Sequence, residues 1–323
     1  MGGKFDSLIP HTLGSDDIPL SKTTENSGKY TDYQGVDCNG TAQPDVEDGI
    51  QYWTTQTADY NGVLGGFGEG SLPRIDALTS RQFLQHLIPT LCTVPSSVRP
   101  LNRTPSTRRI RALDVGAGVG RVTSDLLLHL TSDVVLLEPV SSFITEAFRR
   151  GTESEQGTLK PDKYHSQWKG IQTKEKSVTF IRGTLQDFDP SHPLGPSSLE
   201  FLGRVGFQPE DGQLSDLDTK FDIIWCQWCL GHLSDPDFVA FLKKCKDALR
   251  DRDESVIVVK ENLCLDSEDG QPLTIFDESD SSLTRSDLAW KKAFVRAGLT
   301  VVYEQVQKGF PVGLYEVKMY ALR

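Results

Sequence analysis

The segment "IWCQWCLGHLSD", residues 224–235, brings together residue types that can perform chemistry. Cys226 and Cys229 have the C-x-x-C spacing of zinc ligands and redox pairs. A structural zinc site needs four ligands, and the chain has no second C-x-x-C and no H-x-x-x-H. A redox pair sits at a helix amino terminus, whereas these cysteines follow the apolar run "FDIIW". The pattern predicts no metal site and leaves three candidates, Gln227, Trp228 and His232, which taken alone also suit a core tryptophan and a helix cap.

A glycine-rich turn in "ALDVGAGVGRVT" predicts a ligand site between a strand and a helix. Gly116 and Gly118 would let the backbone approach a ligand, and the following helix terminus favours negative groups. Glu138 ends the next predicted strand, where an acid can bind both ribose hydroxyls of a nucleoside. Arg121 replaces the third glycine of the dinucleotide fingerprint and can bind a carboxylate, which favours S-adenosylmethionine over NAD. The alternative is a tight turn beside a solvated glutamate.

The acidic stretch "FDESDSS" places Asp277, Glu278 and Asp280 within four residues. Such clusters are usually solvated loops, here with Ser282 or Ser286 as a helix cap. The alternative is a binding surface for a cationic group.

The elements that must position these residues begin at Ile110, where apolar strands alternate with amphipathic helices. The strands include "IRALDV", "DVVLLE", "SVTFIRG", "FDIIWCQW" and "SVIVVKEN", and the chain closes with "LTVVYEQV" and "YEVKMYALR". This alternation predicts an α/β fold with a parallel sheet covered on both faces. Two short helices, near 46–56 and 74–88, are joined by "GVLGGFGEG", a loop that could fold over a ligand.

The predicted organisation is one domain over 46–323, with residues 46–90 as a helical lid. Residues 1–45 are rich in small polar residues and are expected to form a flexible tail. Two polar, glycine- and serine-containing stretches, 151–176 and 189–219, are expected to be surface insertions.

Composition limits the partners of the chain. Its 34 basic and 45 acidic residues give a formal charge of −11, which disfavours nucleic acid and suits a cationic partner. The chain has no apolar run of about 18 residues and no secretory segment, so we expect no membrane association and a cytoplasmic or nuclear location. The six cysteines are expected to be reduced thiols, and a monomer is the default expectation.

Several motifs in the same order resemble one family. They are "YW" at 52–53, "GVLGGFG", "LDVGAGVGRVT", "LQDF", "IIWCQWCLGHLSD", "VVKEN", "FDESDSSLTRS" and "YEVKMYALR". Over roughly 51–323, apart from the insertions, the chain resembles the protein N-terminal methyltransferases, which act on Xaa-Pro-Lys or Xaa-Pro-Arg amino termini. The resemblance implies a Rossmann-like, seven-stranded class I methyltransferase sheet with an antiparallel last strand, and an EC 2.1.1 enzyme.

The resemblance also implies roles for individual residues. S-adenosyl-L-methionine, which leaves as S-adenosyl-L-homocysteine, would be bound by Gly116, Gly118, Arg121, Glu138, Leu185, Gln186 and Gln227. Arg121 would bind its methionine carboxylate, Glu138 its ribose, and Gln227 its methionyl end. The substrate would be bound by Trp53, Leu64, Trp228, Asp277, Ser282 and Tyr315. The catalytic residues would be His232, Asp280 and Asn262.

Alternatives stay open at this point. The chain has Phe67 where this family commonly has a tyrosine. The acceptor could be a small molecule or a side-chain nitrogen, but Asp277 and Asp280 favour a cationic peptide. A non-catalytic adaptor would have no use for His232, Asn262 and Asp280 together. The expected substrates are proteins with Xaa-Pro-Lys/Arg amino termini, ribosomal proteins being the class that the resemblance suggests.

Overall fold

The structure is a computed structural model that describes residues 42–92, 108–160, 167–195, 198–210 and 219–323. The predicted tail therefore lies outside the described residues except for positions 42–45. Parts of both predicted insertions, 161–166, 196–197 and 211–218, also lie outside them.

The centre of the described chain is one twisted sheet whose main path runs in the order β4-β3-β2-β1-β5-β6-β10-β9. Strands β1, β2, β3, β5 and β6 are mutually parallel, and β10 is antiparallel to both β6 and β9. A hairpin of β7 and β8 branches from the end of β6. This arrangement confirms the predicted α/β class with its antiparallel last strand, but the main path has eight strands instead of the seven predicted, because β4 pairs with β3 at the edge. The strands are β1 Arg111–Val115, β2 Asp133–Glu138, β3 Ser177–Arg182, β4 Glu200–Gly206, β5 Ile223–Gln227, β6 Val256–Cys264, β7 Thr274–Asp277, β8 Ser282–Ser286, β9 Val301–Val306 and β10 Glu316–Leu322.

Helices cover both faces and the carboxyl edge of the sheet. They are α1 Val46–Thr54, α2 Tyr60–Val63, α3 Leu72–Leu87, α4 Leu128–Leu130, α5 Ser141–Gln156, α6 Asp235–Asp247 and α7 Asp287–Arg296, with a π-helical turn at Thr123–Leu127 and 3₁₀ turns at Pro89–Leu91 and Leu230–His232. Within the described ranges, no helix has the length and apolar character needed to cross a bilayer.

The core lies in two layers because successive residues of each central strand point to opposite faces. In β5, Ile224 packs with α6 and α7 on one face, whereas Trp225 packs with α3 on the other. Both faces are covered, so β1, β2 and β5 are buried along their whole length instead of alternating between buried and exposed residues.

Asp45 fixes the start of the lid. Its side chain accepts hydrogen bonds from the backbone N–H groups of Glu47 and Asp48, which caps α1. Its own N–H donates to the Ser281 hydroxyl at 2.8 Å. The lid therefore begins tied to the turn between β7 and β8.

Parts of the two stretches expected to be surface insertions belong to the folded body. Helix α5 continues to Gln156, and Trp168 and Ile171 are fully buried in the core. The second stretch contains β4, which pairs with β3 along the sheet edge. The surrounding polar residues conceal these few apolar ones, so the sequence indicated loops where the chain supplies a strand and a core tryptophan.

Replacement of Trp168 tests this packing. The Trp168 ring stacks on Phe180, and a Cβ atom at Gly120 would lie only 2.9 Å from it. The ring is therefore tightly packed, and its removal would leave a cavity in the core. We expect Trp168→Ala to lower the free energy of unfolding by about 3–5 kcal/mol, and Trp168→Phe by less, in urea titrations. The exposed neighbour is the control, in the variant Lys169→Ala. A loss of only about 0.5 kcal/mol for Trp168→Ala, as at surface positions, would contradict the buried role.

Candidate active site

A cavity open to solvent lies where the carboxyl ends of β1, β2 and β5 meet the lid. In open parallel sheets, ligands bind at this edge. The structure brings all seven predicted cofactor residues into its lining: Gly116, Gly118, Arg121, Glu138, Leu185, Gln186 and Gln227.

The glycine loop is tight for two different reasons. Gly116 and Gly118 have φ values of 61° and 57°, a region that favours glycine. A Cβ atom at Gly116 would lie 2.4 Å from the Cβ of Cys229, so this glycine makes room for the core. A Cβ atom at Gly118 would lie 3.2 Å from Val63 of α2, so this glycine allows the lid to close on the loop.

Glu138 is positioned by backbone donors at the end of β2. Its two carboxylate oxygens accept hydrogen bonds from the N–H groups of Gly118 and Val140, both at 2.8 Å. Burial raises the pKa of Glu138 to about 7 against the opposing effect of these two donors. A ligand that donates hydroxyl hydrogen bonds would favour the charged carboxylate.

The lining suits S-adenosylmethionine. It offers a carboxylate for ribose hydroxyls, a guanidinium for an amino-acid carboxylate, and apolar walls from Val140, Phe143 and Leu185 for an adenine ring. Arg121 hydrogen-bonds among the described residues through Nη1 only, to Asp76 at 2.6 Å, so its other N–H groups are available to a ligand.

A second cavity adjoins the first. It contains the predicted residues Trp53, Leu64, Trp228, His232, Asn262, Asp280 and Ser282. Four residues line both cavities: Trp53, Val63, Trp228 and His232. Groups bound in the two cavities would therefore lie next to each other at these four residues, which form a shared wall at the edge of both cavities.

Two buried acceptors in the second cavity have no partner. Asn262 Oδ1 and Asp280 Oδ1 make no hydrogen bond to any described residue, and Asp280 is only 3% exposed. Burial raises the pKa of Asp280, partly offset by the nearby Ser282 hydroxyl and His232. An unpaired buried acceptor is costly, so these oxygens indicate a ligand that donates hydrogen bonds.

His232 is held between the lid and the hairpin. Its Nε2 accepts a hydrogen bond from the Trp53 indole N–H at 2.9 Å, and its Nδ1 lies 3.4 Å from the Ser281 carbonyl oxygen. These contacts fit the neutral tautomer with the proton on Nδ1. Burial lowers the pKa of His232, although the Asp280 carboxylate acts in the opposite direction.

Two of the predicted substrate residues lie outside both cavities. Asp277 accepts hydrogen bonds from the backbone N–H and hydroxyl of Ser279, at 2.9 and 2.6 Å. Tyr315 is partly buried, and burial followed by the charge of Asp277 raises its pKa. The Asp277 charge also raises the pKa of Asp280.

Sequence reasoning missed Asp76, Lys260 and Glu261. Asp76 is buried beneath the cofactor cavity and bonds Arg121, Gln227 and Lys260. Glu261 accepts hydrogen bonds from the N–H groups of Cys229 and Leu230, which fixes the turn that follows β5. The available signal was a pair of charged residues, "KE", inside the apolar run "VIVVKEN".

Trp228 owes its position to that turn. Its φ of 54° is unusual for a residue other than glycine, and strain of this kind is typical of functional sites. Its N–H donates to the Lys260 carbonyl at 3.1 Å. The backbone thus turns the indole into the wall between the cavities.

The cysteines of the C-x-x-C pattern are free, buried thiols. Burial raises the pKa of both well above its usual value, so they stay protonated. Cys229 donates from Sγ to the Val115 carbonyl at 3.3 Å and packs against the glycine loop. Their geometry is that of core residues.

Comparison with known proteins decides the family. A model of the AdoMet-dependent proline di-methyltransferases matches residues 42–193 and 199–323. The chain belongs to this family. It is therefore an S-adenosylmethionine-dependent methyltransferase, which confirms the predicted enzyme class and cofactor.

Relatives of this methyltransferase chain support the assignment along most of its length. It is 34% identical over 275 residues to "Alpha N-terminal protein methyltransferase 1" of Schizosaccharomyces pombe, covering 85% of this chain and 94% of that protein. It is 31% identical over 272 residues to "N-terminal Xaa-Pro-Lys N-methyltransferase 1" of Danio rerio, covering 84% and 92%. A solved Leishmania major SAM-dependent methyltransferase superposes with a TM-score of 0.58 at 27% identity, covering 90% and 95%.

Gly118→Ala tests the closeness of the methyltransferase lid and loop. A side chain at this φ costs about 1–2 kcal/mol and would press on Val63. The loop would relax away from its binding conformation, so we expect the Kd for S-adenosylhomocysteine to rise about tenfold by calorimetry. Gly270→Ala is the control because Gly270 also has a positive φ, 68°, with nothing within 4 Å. Equal affinities for the two variants would contradict the role of Gly118.

Proposed function

We propose that this chain methylates the α-amino group of proteins whose amino terminus reads Xaa-Pro-Lys or Xaa-Pro-Arg. The observation that carries this proposal is the pair of unpartnered buried acceptors, Asn262 Oδ1 and Asp280 Oδ1, in the cavity that shares a wall with the cofactor cavity. An α-ammonium group donates the hydrogen bonds that both oxygens lack. The Xaa-Pro-Lys class is the one named for the Danio rerio relative.

The cofactor, when bound, supplies an electrophilic methyl group on its sulfonium sulfur. The chain's own residues must hold the amine in the second cavity, next to the residues that both cavities share, and remove its proton. A peptide α-amine has a pKa of about 7.7–8, so near neutrality most of it is protonated and cannot attack. Asp280 and the neutral His232 are the acceptors at hand, and alignment by Asn262 supplies the rest.

The aromatic and acidic surroundings suit the remainder of this substrate. Trp53 and Trp228 offer ring faces to a proline ring and to a methylated ammonium group. We assign Asp277 and Tyr315, at the hairpin and beside it, to the basic third residue. The net charge of −11 would steer cationic amino termini towards the site, and ribosomal proteins are the substrate class we propose.

Peptide methylation tests the acceptor. The protein is incubated with S-adenosylmethionine and one of three peptides, beginning Ala-Pro-Lys, acetyl-Ala-Pro-Lys or Ala-Pro-Gln, and mass shifts are read in steps of one methyl group. We expect a shift on the free Ala-Pro-Lys peptide, little on Ala-Pro-Gln and none on the acetylated peptide. A shift on the acetylated peptide would place the acceptor on a side chain, and no shift at all despite cofactor binding would overturn the proposal.

Asp280→Asn tests the proton acceptor. The amide keeps the shape but loses the charge, so we expect kcat for the Ala-Pro-Lys peptide to fall by about 100-fold or more. Wild-type activity should rise with pH through about 7–8, as the amine loses its proton. The variant should recover part of its rate at higher pH, where the amine is already neutral.

Glu278→Gln is the matched control, because Glu278 is exposed on the same turn and lines neither cavity. Its rate and pH profile should equal those of the wild type. Wild-type rates for the Asp280→Asn variant at pH 7 would contradict the role of Asp280 as proton acceptor.

A further inference from the structure

One buried carboxylate touches the cofactor machinery without lining the cavity. Asp76, on the lid helix α3, is 1% exposed and lies outside the lining of both described cavities. Its Oδ2 accepts a hydrogen bond from Arg121 at 2.6 Å, and its two oxygens lie 3.0 and 3.1 Å from Gln227 Nε2. Lys260 forms a very short ion pair with its Oδ1.

We propose that Asp76 is a positioning residue that sets Arg121 and Gln227 for the amino-acid end of the cofactor, and thereby couples cofactor affinity to the docking of helix α3. The inference deepens the proposed site, since it rests on assigning Arg121 and Gln227 to that end. Asp76 itself does not touch the cofactor.

The contacts leave Arg121 and Gln227 little freedom. Arg121 is held by one Nη1 bond, which orients its planar fork and leaves its other donors for a carboxylate. Gln227 donates to Asp76 through Nε2 and accepts from the Trp225 indole N–H through Oε1 at 3.0 Å, so its amide cannot flip without loss of both bonds. Without Asp76, both side chains would lose the bond that aims them.

The same carboxylate anchors the lid helix to the sheet. Lys260 of β6 donates to Asp76, to the Ser80 hydroxyl at 3.0 Å and to Gln307 Oε1 at 2.7 Å, which uses all three ammonium hydrogens. Gln307 Nε2 in turn donates to Thr79 of α3 at 3.1 Å. The Asp76 carboxylate therefore both anchors helix α3 to the sheet and contacts Arg121 and Gln227.

Asp76 remains ionised within this cluster. Burial alone would raise its pKa, but the adjacent Lys260 and Arg121 outweigh that effect and lower it to about 2. A buried charge of this kind can keep its position only while both cations stay close. The lid helix is consequently held in one place relative to the two cofactor residues.

Ligand selectivity separates positioning from mere stabilisation. The Kd values of S-adenosylhomocysteine and of 5′-methylthioadenosine, which lacks the amino-acid end, are measured by calorimetry for wild type and for Asp76→Asn. We expect the variant to bind S-adenosylhomocysteine about 10- to 100-fold more weakly, because misplaced contacts are costly. Its Kd for methylthioadenosine should change less than about threefold, since that ligand does not reach Arg121 or Gln227.

Asp133→Asn is the matched control. Asp133 is also a buried carboxylate with an arginine partner, Arg109 at 2.6 Å, but it lies at the amino end of β2, on the opposite edge of the sheet. This variant should lose stability without a change in the ratio of the two Kd values.

A double variant keeps the test valid if Asp76→Asn fails to fold. Asp76→Asn with Lys260→Met removes the ammonium that would otherwise be buried unpaired, so thermal stability should recover relative to the single variant. Its affinity for S-adenosylhomocysteine should stay selectively reduced.

The inference would be overturned if Asp76→Asn and the double variant bound both ligands more weakly by the same factor. It would also be overturned if Asp76→Asn bound S-adenosylhomocysteine with wild-type affinity. Wild-type protein that binds both ligands equally would overturn it as well, because Arg121 and Gln227 would then not serve the amino-acid end. A failure of wild-type protein to methylate any peptide would count against the proposed acceptor only, since these binding ratios need no peptide.

Discussion

The ion pairs of Asp76 are the constraint on which the rest of the site depends. A carboxylate buried this deeply is tolerated only when its partners are in place. Here those partners are Arg121, which follows the glycine loop, and Lys260 of β6, with the Gln227 amide of β5 beside them. Helix α3 cannot shift without separating opposite charges in the interior. Helix α3 is consequently the fixed part of the lid. The two cavities keep their shape because three segments that are distant in sequence all contact the Asp76 carboxylate.

The wall between the two cavities is built mainly by backbone geometry. Trp228 takes a left-handed conformation. The two residues that follow Trp228, Cys229 and Leu230, donate backbone hydrogen bonds to the Glu261 carboxylate. Glu261 is buried, which raises its pKa to about 7, and its backbone donors oppose that rise. The next residue along β6, Asn262, faces the second cavity. One short segment, Lys260 to Asn262, thus contacts the lid helix α3, fixes the turn that carries Trp228 and lines the second cavity.

The sequence was most informative where a local pattern has one physical cause. The glycine loop and Glu138 could be predicted because strand ends in a parallel sheet meet at one edge, and all seven predicted cofactor residues line one cavity. Asp76 could not be found in this way, since its partners lie 45, 151 and 184 residues away and no spacing rule links them. The strand β4 and the core position of Trp168 were missed because long-range burial overrides a polar local composition. Asp277 and Tyr315, which the resemblance assigned to the substrate, line neither cavity.

The lid tryptophan bears on how protons leave the site. His232 Nε2 carries the lone pair of the neutral ring, and the Trp53 N–H already occupies it at 2.9 Å. Protonation of His232 would set two N–H groups against each other, so the ring can accept a proton only if Trp53 moves. Asp280 Oδ1 has no such partner among the described residues and faces the same cavity. In the proposed reaction, the first proton acceptor in this arrangement would therefore be the Asp280 carboxylate. His232 would stay neutral and would take up the proton only when α1, the helix that carries Trp53, moves away.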